Sequence, residues 1–175
     1  DAYFYPREYS EKISNYIIAG KDTDAKQLIR QVYEENYENP EKLLSAAATE
    51  KLRQQLWDCV STLAEKYSVA LGEQPSPQVG SKSFFEAMIR CVDLLSEEIQ
   101  NKQKQVRHKT ASRLLSYIED NFCDNRLSLK QISETFGMHE SYISNVFKNA
   151  VGENLSVYIE RLRIEKAREM VKNTD

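Results

Sequence analysis

A chain of 175 residues, 41% hydrophobic and with a net charge of −3, is long enough to bury one sizeable core or two small ones. No apolar run approaches the roughly 18 residues of a membrane-spanning helix, and the opening DAYFYPREYS lacks a signal peptide's basic start and apolar middle, so a soluble, unprocessed chain is expected. Cys59, Cys91 and Cys123 are odd in number and far apart, which speaks against a disulfide framework and fits a reducing, cytoplasmic compartment.

Glycines number 5 and prolines 4, they fall mainly at joints, and no alternating strand pattern persists, so an all-α chain of at least seven helices is expected. After an extended AYFYP, a first helix runs from about Arg7 to Ala19, with Ile13 and Ile17 on one face and Gly20 as its stop. A second spans Asp22 to Asn36 through Ala25, Leu28, Ile29, Val32 and Tyr33, and is broken at Pro40. A third, Ala46 to about Ala70, repeats apolar residues at Leu52, Leu56, Cys59, Val60, Leu63 and Tyr67. Residues 71–83, LGEQPSPQVGSKS, form the clearest linker. Beyond it Phe84, Phe85, Met88, Cys91, Val92, Leu95 and Ile99 make a helix that turns polar at QNKQKQVRHK, a solvated helix extension or connector rather than a nucleic-acid tract. The next helix, Ala111 to Phe122, packs Leu114, Leu115, Ile118 and Phe122 and opens a second domain. The boundary is therefore expected between residues 109 and 110.

The most informative stretch is LKQISETFGMHESYISNVFK, residues 129–148. Ser128 followed by Gln131 forms a capping box, in which the hydroxyl takes an orphan backbone N–H and the glutamine reaches back to the cap. The helix it starts turns Leu129, Ile132 and Phe136 inward, with Ser133 small enough for close approach. Gly137 permits a left-handed turn, and Met138 plugs the corner. From about Glu140 a second helix buries Ile143, Val146 and Phe147 and leaves Ser141, Ser144, Asn145 and Lys148 outside. This is the layout of a helix-turn-helix, whose outer face reads base edges with side chains that donate and accept hydrogen bonds. Charge gives it little help: residues 110–175 carry 9 Lys and Arg against 10 Asp and Glu, and residues 1–109 carry 15 against 17.

The motifs YIEDNF, LSLKQIS, a glycine turn, YISNVFK and a further glycine, followed by Tyr158, Arg163, Ile164, Ala167, Met170 and Val171, closely resemble the DNA-binding domain of AraC/XylS-type transcriptional regulators. The resemblance covers residues 110–175. It implies a homeodomain-like helix-turn-helix unit and the long linker helix, here about Asn154 to Lys172, with the family's second helix-turn-helix absent. It further implies that Ser141, Ser144 and Asn145 face bases, that Lys148 is a candidate phosphate contact, and that Arg163 is a structural partner for acidic side chains. Ser133 stands where the family usually has alanine, and His139 where a serine cap is common. Residues 3–36, with the pattern aromatic-x-Tyr-Pro, a helix ending in glycine and another ending in asparagine, resemble the segment preceding that domain in larger AraC-type regulators, including membrane-anchored ones. Residues 1–109 would then be a helical signal-transmitting or dimerisation region, and the chain a piece of a longer protein. Double-stranded operator DNA, a second copy of the chain and, for the full-length protein, RNA polymerase are the implied partners.

Catalysis has no comparable pattern. There is no Gly-rich phosphate loop and no HExxH, and His108 and His139 lie far from any cysteine at ligand spacing, so neither an enzyme nor a metal or cofactor site is expected. Glu34, Glu35, Glu97 and Glu98 sit on polar faces, while Cys59 and Cys91 fall within apolar stripes. The other function class left open is a helical dimerisation or ligand-sensing module that does not itself bind DNA.

Overall fold

Helical periodicity runs the length of the chain, and the computed structural model, which describes residues 3–41 and 43–173, is built of helices accordingly. The described residues form seven α-helices and no strand: α1 (Tyr9–Ile18), α2 (Asp22–Tyr33), α3 (Ala46–Lys66), α4 (Ser81–Asn121), α5 (Leu129–Phe136), α6 (Glu140–Val151) and α7 (Leu155–Lys172). None of these helices is long and apolar enough to cross a membrane. The chain divides into two compact units, residues 1–102 and 103–175, a division inside the polar stretch and earlier than the expected 109/110.

Three boundaries differ from expectation, each for a local reason. The helix expected to continue to Asn36 becomes a π-helical turn over Glu34–Glu38, and Asn39 leaves it in an extended conformation, which the following proline favours. Helix α3 stops at Lys66 rather than near Ala70. Ser68 there has a φ of +53°, and the Lys102 ammonium donates to the carbonyls of Tyr67 and Ser68 at 2.6 and 2.8 Å. The two helices expected on either side of QNKQKQVRHK are one helix, α4, because Gln, Lys and Arg are strong helix formers and neither Gly nor Pro interrupts them.

The first unit packs α1, α2, α3 and the beginning of α4 around Ile13, Ile17, Ile29, Leu52, Phe84 and Met88, all fully buried. Asn36 is buried as well, and its amide explains why the extended Tyr3–Pro6 segment is fixed: Oδ1 accepts from the Phe4 N–H at 2.7 Å, and Nδ2 donates to the carbonyls of Phe4 and Val32. Arg53 is 3% exposed. Its guanidinium lies 4.4 Å over the Phe84 ring and donates to the carbonyls of Ser76 and Val79, both at 2.7 Å, so the proline-containing linker folds back onto α3. Cys59, in the α3 stripe, packs in this core, and Trp57, one position from that stripe, packs against it partly buried.

The second unit gathers Leu114 and Ile118 of α4, Ile132 of α5, Ile143 and Phe147 of α6, and Leu155, Tyr158 and Ile159 of α7. Phe147 and Tyr158 meet edge to face at 5.3 Å. Helix α7 remains helical to Lys172, but from Ile164 onward its residues are exposed.

Candidate nucleic-acid interface

The site rests on how α5 hands the chain to α6. Ser128 caps α5, its Oγ accepting from the Gln131 N–H at 3.2 Å. The reciprocal half of the expected capping box is not made: Gln131 Oε1 is turned inward and buried, with no hydrogen-bonding partner among the described residues. At the other end Gly137 takes φ +63° and ψ +32°, the left-handed conformation that a Cβ disfavours, and its N–H returns to the Ser133 carbonyl. Ser133 then does more than leave room. Its carbonyl also accepts from the Met138 N–H at 3.2 Å, while its hydroxyl donates to the Met138 carbonyl at 2.5 Å, so the corner is tied in both directions.

Helix α6 begins after His139, which has extended backbone and no side-chain capping bond. Ile143, Val146 and Phe147 are buried against α5 and α7. On the opposite side Ser141, Asn145 and Lys148 are exposed; Ser144, expected with them, is half-buried because it flanks the strip formed by Ile143 and Phe147. Two residues not singled out by sequence share the outer side: Tyr142, 37% exposed, and Asn149. Each lies three or four residues from Asn145, so helical spacing alone could have found them. The surface is mainly hydrogen-bonding, with Glu140 and Lys148 as its charges.

Arg163 of α7 supports this arrangement from behind, and its partners differ from the expected acidic side chains. Nε donates to the Phe122 carbonyl at 2.7 Å and an Nη to the Asp124 carbonyl at 2.9 Å, which closes the loop between α4 and α5 onto α7. The Asp124 carboxylate is taken instead by Arg126, and the hydrogen bond from that side chain holds its pKa below the ordinary value. Elsewhere, burial pushes the Cys59 thiol up, and Cys123 is exposed. No group of three His, Cys, Asp or Glu among the described residues is placed to hold a metal ion.

Fold and site together define a class: an all-α chain of two helical units, the second of which presents a polar helix beyond a left-handed glycine turn. No family model matches the sequence, and the comparisons with curated proteins and with solved structures return no match.

Proposed function

We propose that the second unit binds duplex DNA by inserting α6 into the major groove, as the helix-turn-helix part of a transcriptional regulator of the AraC/XylS type. The observation that carries this is the division of α6 into two sides. Ile143, Val146 and Phe147 hold it in the core, while Ser141, Asn145 and Lys148 stand free on a helix whose approach angle the Gly137 turn sets. Asn145 presents both a donor and an acceptor, the pair that adenine offers in complementary order in the major groove. Ser141 and Ser144 add shorter contacts, and Lys148 meets phosphate. The first unit would transmit a signal or dimerise.

Selection of bound sequences from a random duplex pool tests this. The protein is expected to enrich a defined motif, and Asn145→Ala to change the preferred base at one position, at a cost of about 1–3 kcal/mol if the contact is bidentate. Lys148→Ala is expected to weaken all sequences alike. Recovery of no motif from the pool would refute the proposal. One observation favours the second reading, a ligand-sensing module: the first unit has a cleft of about 230 Å³ walled by Tyr33, Phe85 and Ile89 and rimmed by Arg30, Glu34 and Glu86.

A further inference from the structure

Where the chain divides changes the sign of the second unit's charge. Residues 103–175 carry 12 Lys and Arg against 10 Asp and Glu, a net +2, whereas residues 1–102 carry 12 against 17, a net −5. Lys104, Arg107 and Lys109 make the difference, since they belong to the second unit and bring no acidic residue with them. From Ile99 to Ile118, α4 contains no Asp or Glu at all. Lys104, Arg107, Lys109 and Arg113 are exposed, and none of them forms an ion pair with a described residue. Like charges one turn apart, such as Lys109 and Arg113, disfavour a helix unless an anion lies across them.

The position of these cations selects among anions. Lys109 and Arg113 lie one turn apart on the same side of α4, and the Arg113 guanidinium sits 5.2 Å over the ring of Phe136, the last residue of α5. That side of α4 therefore flanks the Gly137 turn into α6. Helix α6 has one acid and one base and so contributes no net attraction of its own. An anionic lipid surface would also draw a basic helix, but it binds one with a continuous apolar face. Val106 is the large apolar residue exposed in this part of α4, and it makes no such face.

Lys109 ends the QNKQKQVRHK stretch, expected from sequence to be a solvated connector; we propose instead that Lys109 and Arg113 contact backbone phosphates beside the α5–α6 pair, supplying the sequence-independent attraction that α6 lacks. This inference rests on the proposed binding of DNA by α6.

The test is fluorescence anisotropy with mixed-sequence duplex DNA over a series of salt concentrations. Each phosphate contact contributes about 0.9 to the slope of log Kobs against log salt, so Lys109→Gln with Arg113→Gln is expected to flatten that slope by about 1.8. Lys51→Gln with Arg90→Gln removes the same charge from exposed positions of the first unit and is expected to leave the slope unchanged. Arg113→Lys keeps the charge while giving up the planar guanidinium over Phe136. It is expected to retain the wild-type slope, which separates lost charge from lost folding. A double variant that matches the charge-matched control, while wild-type protein binds with a steep slope, overturns this inference alone. Absence of wild-type binding overturns both the inference and the DNA reading beneath it. Binding to phosphatidylserine vesicles that the double variant abolishes, with the DNA slope unaltered, overturns the inference in favour of a lipid surface.

Discussion

Replacing Arg163 by methionine removes the two hydrogen bonds that close the α4–α5 loop onto α7. Those bonds, at 2.7 and 2.9 Å, run from a cation to two part-buried carbonyls. A bond to a charged group contributes about 1.5–3 kcal/mol, and partial exposure places each at the low end, so Arg163→Met is expected to cost the second unit about 2–4 kcal/mol. Arg163→Lys keeps the charge, but a single ammonium cannot span both carbonyls in the guanidinium's fork, and about half of the loss is expected. Urea unfolding can assign the effect to its unit. Trp57 is the chain's single tryptophan and lies in the first unit, so its fluorescence follows that unit while far-ultraviolet circular dichroism follows both. With an m-value of about 1–3 kcal/mol/M, the circular-dichroism transition of the second unit should move to lower urea by about 1 M or more, and the Trp57 transition should stay in place. A methionine variant within about 0.5 kcal/mol of wild type would refute the view that these two carbonyls depend on Arg163.

The remaining expectations are simpler. Gly137→Ala meets no atom within 4 Å of the added Cβ, so its cost is that of the left-handed backbone alone, about 1–2 kcal/mol by thermal unfolding. Ser133→Ala, neutral if the residue merely leaves room, should instead destabilise by about 1 kcal/mol through loss of the bond to the Met138 carbonyl. Thiol titration under native conditions should modify Cys123 first and Cys59 last; equal rates would contradict the burial that raises the Cys59 pKa. Amide exchange should be fast from Ile164 to the end of α7 and slow across Leu129–Phe136, and equal protection in a monomeric sample would contradict the exposure of these turns.

What could be read in advance was what repeats along the chain. The core positions of α3, α5 and α6 follow from helical spacing, which is fixed by backbone geometry whatever the neighbours are. The Ser128 cap and the Gly137 turn follow from local chemistry of the same kind. What escaped were contacts whose partner is backbone. Arg163 and Lys102 are legible as cations, but carbonyl oxygens carry no mark in a sequence, so acidic partners are expected for Arg163 and the partners of Lys102 are not legible. Ser133 was legible as small. Its hydroxyl bond to Met138 depends on how the corner closes, which spacing does not specify. Asn36 looked like a helix end, although its buried amide depends on the Phe4 backbone, 32 residues away. The helical extension through QNKQKQVRHK is legible as one of two alternatives, but the separate helix start expected near Ala111 is not there, because nothing in the stretch breaks a helix. Ser144 was misplaced by about a quarter turn of helix, enough to move a residue from the outer face to its edge.

Arg53 grips the linker by carbonyls rather than side chains, so the path of that loop is encoded outside the loop itself. Sequence drift at Gln74, Pro77 or Gln78 leaves the oxygens of Ser76 and Val79 in place, whereas a single change at Arg53 releases the whole segment. In natural variants of this protein, diversity should therefore collect in the loop while the arginine one helix away stays constant, and a peptide inserted at the loop's exposed tip should be carried without disturbing α3 or α4.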